Sequence, residues 1–287
     1  MLFRSEPGLD DSGTVVGLRG TVQDVTEERA VEARLRLAEE ALAAQRRRLE
    51  AELQAAQTLQ RALLPTEPEL GTTEGLSVRG RCRESERTGR VDGDWYDACA
   101  LPGGATLLVV GDVAGSGLAA LRAAARLRYA VRAYAALDMS PGEVLSAVNA
   151  MLCSLEPERT ATLVVARYEP AAHRLRWSVA GQALPARYSA GGEAVLLTGP
   201  AGLPVGAEPE ARYQDCEVTL GGGDRFLLYT DGLVGGHRGG EDPLGILLDV
   251  ARRTKLEDVA GLVRNLVRDL NAGPDEDMCA MVVRVTR

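Results

Sequence analysis

Four acidic stretches in this chain stand next to three apolar runs. The first, Val91-Asp92-Gly93-Asp94-Trp95-Tyr96-Asp97, reads as an acidic turn containing a glycine. Leu107-Leu108-Val109-Val110 then reads as a buried strand that stops abruptly at Gly111-Asp112. Phe226-Leu227-Leu228-Tyr229 runs in the same way into Thr230-Asp231-Gly232, and Asp275-Glu276-Asp277 leads into Met281-Val282-Val283 near the C-terminus. A carboxylate one step beyond a buried strand is fixed by the core yet open to solvent. If the three strands share one sheet system, the acids converge, and like charges that close cannot all stay ionised unaided. A bound divalent cation is the usual remedy. Asp94, Asp112, Asp231 and either Glu276 or Asp277 thus form a candidate cluster for two hard cations, Mn²⁺ or Mg²⁺, held by oxygen ligands. Two metals about 3.5–4 Å apart can activate a water and hold a phosphoryl group. Phosphoryl transfer mostly needs positioning and charge neutralisation, so no catalytic His or Cys is required. Gly93 and Gly111 are expected to keep side chains clear, so that backbone and a hydrated cation can approach. Taken singly, Asp94 and Asp97 are also ordinary turn formers, and Asp231-Gly232 is a common turn dipeptide.

The elements that must carry these acids can be read along the chain. Residues 15–25 read as one or two strands, and Asp24 with Glu27 fits a capping box opening a helix. Residues 27–64 contain neither Gly nor Pro and stop at Pro65, giving a rod of roughly 55 Å at 1.5 Å per residue. Val31, Ala38 and Leu59 occupy one heptad position, with Gln45 and Glu52 between them. Leu35, Leu42, Leu49, Ala56 and Leu63 occupy the other. This pattern predicts a two-stranded coiled coil and hence a homodimer through the N-terminal helix. Beyond a Gly/Pro linker, strands are expected at 76–83, 107–110, 160–168, 174–180, 213–220, 226–229 and 278–285. Helices are expected over 117–136, 141–154 and within 244–271, the second capped by Ser140-Pro141. Strands in runs separated by a helical pair indicate an α+β architecture.

Composition narrows the function classes. The chain has 287 residues, of which 45% are hydrophobic and only 4% aromatic, so Leu, Val and Ala must fill the core. A net charge of −8 argues against a nucleic-acid binder. No apolar run reaches the ~20 residues of a membrane span, and the first residues lack the basic-then-apolar pattern expected of a signal peptide. A cytoplasmic protein with no membrane partner is expected. Its cysteines, Cys82, Cys99, Cys153, Cys216 and Cys279, form no C-x-x-C pair and are expected to be reduced core residues. With only His173 and His237, far apart in sequence, a His/Cys zinc site is not expected.

The motifs, in order, resemble the PPM (PP2C-like) serine/threonine phosphatases, in the bacterial branch of SpoIIE and RsbU type. The resemblance runs through Leu59-Gln60-Arg61-Ala62-Leu63-Leu64-Pro65, Gly93-Asp94-Trp95-Tyr96-Asp97 and Gly111-Asp112-Val113-x-Gly115-x-Gly117. It continues through Ala180-Gly181, Gly202-Leu203-Pro204-Val205-Gly206, Tyr229-Thr230-Asp231-Gly232-Leu233 and the final acidic pair. It implies an α+β fold: two antiparallel sheets in a sandwich flanked by helices, here preceded by a long N-terminal helix. It also implies that Asp112 bridges two metals. Asp94 and the carbonyl of Val113 would hold one, and Asp231 with the C-terminal acid the other. The substrate implied is a phosphorylated regulatory protein, such as an anti-sigma-factor antagonist carrying phosphoserine or phosphothreonine. Residues 1–26 similarly resemble the end of a PAS sensor domain. The expected organisation is therefore a partial sensor segment at 1–26, a signalling helix at 27–65 and a phosphatase domain at 76–287.

The chain departs from the family pattern at several positions. Asp92-Gly93 stands where two glycines are usual, Ser116 where a basic residue is frequent, and Gln182 where His is common. Glu276-Asp277 replaces an Asp-Asp pair, with Glu276 aligned to the ligand and Asp277 able to substitute. Two other functions therefore stand beside the phosphatase. One is a catalytically impaired interaction module on the same fold, marked by failure to bind Mn²⁺. The other is a two-metal nucleotide enzyme such as a cyclase, marked by a cyclic product from GTP.

Overall fold

A computed structural model describes residues 2–63, 72–73, 75–83, 93–235, 243–254, 261, 264–265, 268–269 and 278–286. The chain divides into two units, Met1–Gln54 and Ala55–Arg287. In the first, strands β1 (Leu2–Leu9) and β2 (Val15–Gln23) pair as an antiparallel hairpin. Helix α1 (Thr26–Leu63) follows, its residues up to Gln54 belonging to this unit. The expected Asp24–Glu27 capping box gives way to a tighter contact: Asp24 Oδ1 accepts from the amide and the hydroxyl of Thr26 at 3.0 and 2.6 Å. Val31, Leu35, Leu42 and Leu49, four of the heptad positions, are all at least half exposed on α1.

The second unit is α+β and holds two six-stranded sheets. Its elements in chain order are β3 (Thr72–Thr73), β4 (Leu76–Arg83), β5 (Trp95–Ala100), β6 (Thr106–Val113), α2 (Gly117–Ala136), α3 (Pro141–Leu155), β7 (Ala161–Glu169) and β8 (Arg174–Ala180). Then come β9 (Ala186–Tyr188), β10 (Ala194–Leu196), β11 (Ala201–Gly202), β12 (Cys216–Thr219), β13 (Arg225–Tyr229), α4 (Gly232–Gly235), α5 (Pro243–Arg253) and β14 (Met278–Val285). One sheet runs β10-β9-β13-β14-β4-β3. The other runs β11-β8-β7-β6-β5, with β12 also pairing β8. Pairing is antiparallel throughout except for the short β11, which lies parallel to β8.

Successive side chains on a strand point to opposite faces, so a strand apolar at every position must be covered on both sides. This is what the apolar runs do. Leu108 and Val110 of β6 and Met281 and Val283 of β14 meet between the sheets, with Val164, Trp177 and Phe226. Leu107 and Val109 face outward beneath Leu127 and Val131 of α2 and Leu145 and Val148 of α3. Leu227, Ala280 and Val282 face outward on the other sheet beneath Leu233, Leu247 and Val250. Helix α3 begins with a capping box. Ser140 Oγ accepts from Glu143 N, and Ser140 N donates to Glu143 Oε2 at 2.8 Å.

The cysteine expectation is corrected. Cys82 and Cys279 sit directly opposite on β4 and β14 and are joined as a disulfide across 197 residues of sequence. Cys99, Cys153 and Cys216 are free. Among the described residues, no helix is long and apolar enough to cross a membrane.

Candidate functional site

The site begins with the register of β5 against β6. Trp95 pairs with Gly111, and Val113 N donates to Gly93 O at 3.3 Å, two residues further out on each strand. Between these two pairings, Asp94 lies directly across from Asp112. Directly opposed residues present their side chains on the same face, with Cβ atoms roughly 4.5–5.5 Å apart. Period-two alternation puts that face toward the space between the sheets, since Tyr96 and Val110 point there too. On the next strand, Thr162 lies opposite Asp112. Asp94, Asp112 and Thr162 thus form one row across three strands.

The second sheet supplies Thr230 and Asp231, which follow β13. Tyr229 faces the outer helices, and the next side chain, Thr230, reverses direction toward the row. Thr230 is fully buried, and its hydroxyl donates to Asp94 Oδ2 at 2.9 Å. Gln182 closes the other side. Its Oε1 accepts from Asp231 N at 3.1 Å and Ala183 N at 3.0 Å, while its Nε2 donates to Thr162 Oγ1 at 3.0 Å. Asp94, Asp112 and Asp231 therefore lie around one rim of the sandwich, linked by Thr230, Gln182 and Thr162. Asp94 is 8% exposed, Asp112 half-buried and Asp231 exposed. Among the described residues, no three acidic, His or Cys side chains converge closely enough to form a metal-binding group. Glu276 and Asp277, the fourth arm expected from the sequence, lie outside the described residues.

The rim fits hard cations in its chemistry. Two carboxylates face each other across a strand pair, where like charges are destabilising without a counter-ion. The donors are all oxygen, as Mg²⁺ or Mn²⁺ requires. Val113 belongs to the same corner. Its carbonyl oxygen packs against Gly93 so closely that any Cβ there would collide with it. The amide of its cross-strand partner Ala161 is directed to Val205 O at 3.0 Å. Gly93 thus permits close backbone approach, as expected. Gly111 has a different role. A Cβ there would press on Leu163 and the Trp95 indole, so this glycine makes room for core packing.

The acidic stretch at 91–97 is also split in two. Trp95 opens strand β5, and both Trp95 and Tyr96 are core residues. Asp97 is fully buried away from the rim, where Arg128 Nη2 and Arg132 Nη2 of α2 donate to its Oδ1 at 3.2 and 2.6 Å. It ties the helix to the sheet. Thr230, Gln182 and Thr162 were not singled out as site residues from sequence. The signals available were a hydroxyl immediately before Asp231 and an amide directly after Ala180-Gly181.

Comparison with known proteins identifies a family and a fold. The family model of SpoIIE (Stage II sporulation protein E) matches residues 102–286, more than half of the chain. The SiaA-PP2C domain of Pseudomonas aeruginosa is similar over 85% of this chain and all of that one, at 23% identity and TM-score 0.66. The RsbU and RsbW domains of a Mycobacterium tuberculosis protein are similar over 75% of this chain, at 24% identity and TM-score 0.63. This chain spans 61% of that structure's length. RsbX in complex with magnesium is similar over 75% of this chain and 98% of that one, at 17% identity and TM-score 0.59. These likenesses establish a PP2C-like fold.

Proposed function

The chain belongs to the SpoIIE family, and from that premise we propose that it is a metal-dependent protein serine/threonine phosphatase acting on a phosphorylated regulatory protein. It carries a PPM-type phosphatase domain. The observation that carries the reading is the placement of Asp94 opposite Asp112, with Asp231 brought to the same rim from the other sheet. Asp94, Asp112, Asp231, the Val113 carbonyl and Glu276 or Asp277 would hold two Mn²⁺ or Mg²⁺ ions, and the magnesium in the RsbX relative supports that choice. When bound, such ions supply the charge that activates a water and neutralises phosphoryl oxygens. Asp112 holds its carboxylate at the end of β6, where both neighbours in the row present oxygen. Gln182 fixes the backbone that carries Asp231. The substrate class, phosphoserine or phosphothreonine on a protein such as an anti-sigma-factor antagonist, follows the family. It is supported by the pairing of RsbU and RsbW domains in the mycobacterial relative.

Homodimerisation through α1 in the cytoplasm completes the proposal, with the exposed heptad residues Val31, Leu35, Leu42 and Leu49 as the seam. The direct test is hydrolysis of p-nitrophenyl phosphate or a phosphoprotein with added Mn²⁺. Turnover by wild type that disappears in Asp112→Asn is expected. An inert wild type, or a fully active Asp112→Asn, overturns the reading. The Glu276-Asp277 pair keeps one rival open, an interaction module with an impaired metal site. Calorimetry showing no Mn²⁺ binding at millimolar concentration would favour that rival.

A further inference from the structure

We infer that Thr230 is a positioning residue, whose hydroxyl fixes the orientation of the Asp94 carboxylate and thereby the spacing between cation ligands contributed by the two sheets. The inference rests on the metal reading above. Its basis is a three-part hydrogen-bond relay. Cys279 N, in β14, donates to Thr230 Oγ1 at 2.9 Å. Thr230 N donates back to Cys279 O at 3.0 Å. Thr230 Oγ1 then donates to Asp94 Oδ2 at 2.9 Å.

A hydroxyl has one proton and two acceptor lone pairs. With an amide N–H aimed at its oxygen, the Thr230 hydroxyl accepts on that side, and its single proton points to the carboxylate. The β-branched side chain, fully buried, has little rotamer freedom in which to lose this alignment. The bond spans 136 residues of sequence and joins the two sheets. Asp94 enters β5 of one sheet. Thr230 follows β13 of the other and directly precedes Asp231. One side chain therefore sets a ligand from the first sheet relative to a ligand on the second. Gln182 links the sheets as well, but it binds the Asp231 backbone and touches neither carboxylate. Partners that orient metal ligands typically contribute about 10–100-fold in metal affinity.

The test is Mn²⁺ calorimetry on the full chain for wild type, Thr230→Ser and Thr230→Val, with metal-free thermal melting of each. Serine keeps the hydroxyl and should bind within about threefold of wild type. Valine keeps the shape without the proton and should bind ~10–100-fold more weakly. A purely structural threonine would lower the melting temperature in both variants and leave the affinity of the folded protein unchanged. Equal affinity in Thr230→Val and wild type overturns the inference, as does a serine variant as weak as valine. If valine prevents folding, Thr230→Ala takes its place with the same expectation. No binding by wild type itself would sink the metal reading, and this inference with it. Binding by wild type that valine leaves untouched would sink the inference alone.

Discussion

Strand β13 has an acid at each end, and the two are treated in opposite ways. Asp224, just before the strand, is 4% exposed. Its carboxylate accepts from Gly221 N and Ala190 N at 2.9 Å each and from Arg187 Nη2 at 2.6 Å. Burial pushes its pKa up, but the two amides and the arginine outweigh that and hold it below the ordinary carboxylate value. Asp231, just after the strand, is exposed, and its backbone amide is held by Gln182. Two nearby acids of the other sheet also differ in their described contacts: Asp97 is clamped by two arginines, and Asp94 Oδ2 accepts from the Thr230 hydroxyl. An acid that the chain neutralises with its own cations serves the fold. At the rim the described contacts are of another kind: a hydroxyl on the Asp94 carboxylate and a side-chain amide oxygen on the Asp231 backbone.

The sharpest way to break this comparison is at Asp97. Asp97→Ala strands the buried Arg128 guanidinium without its anion and should lower unfolding free energy by about 3–5 kcal/mol. Urea unfolding measures it, and a loss below ~1 kcal/mol would mean that the clamp does not hold α2. At the other extreme, Asp231→Asn should cost roughly 10²–10³-fold in Mn²⁺-dependent hydrolysis, the several kcal/mol that metal-ion charge supplies. Its melting temperature should stay within about 2 °C of wild type. A variant that melts early but still turns over would reverse the assignment of the two ends.

Asp224→Asn should cost about 1–3 kcal/mol of stability with little change in turnover. The sign with pH follows from its depressed pKa. The contribution of Asp224 is full above the ordinary value of 3.8 and is lost as pH falls through the lower folded value. The gap in urea midpoint between wild type and Asp224→Asn should therefore close on acidification. A gap that does not narrow at all as pH falls below 3.8 would remove the carboxylate from the explanation. The smallest effect is expected at the link between the sheets. Gln182→Leu deprives Asp231 N of its acceptor, about 1 kcal/mol, and should slow hydrolysis by about fivefold. Unchanged turnover would mean that the strand alone fixes the Asp231 backbone.

Much of the architecture was legible because local patterns dictate it. Strands at 76–83, 174–180 and 278–285 and the helix at 117–136 lie where apolar runs and glycine or proline punctuation place them. Strand β5 was not legible. Its residues are buried on both faces, so no alternation shows, and its Asp97 mimics a turn former because the neutralising arginines lie more than thirty residues away. The Cys82–Cys279 pairing was hidden for a similar reason, since only the register of β4 against β14 brings the two together.

The amino-acid sequence by itself determined the order of the acids, the strands they terminate and the oxygen-only character of the donors. These follow from residue type and short-range periodicity. Only the tertiary structure decided which acids share a rim and which are neutralised inside. A carboxylate's neighbour across a strand pair is set by register, and a one-residue slip would turn Asp94 to the opposite face from Asp112. Its counter-charge, or the hydroxyl that orients it, arrives from residues brought close only when the sheets pack.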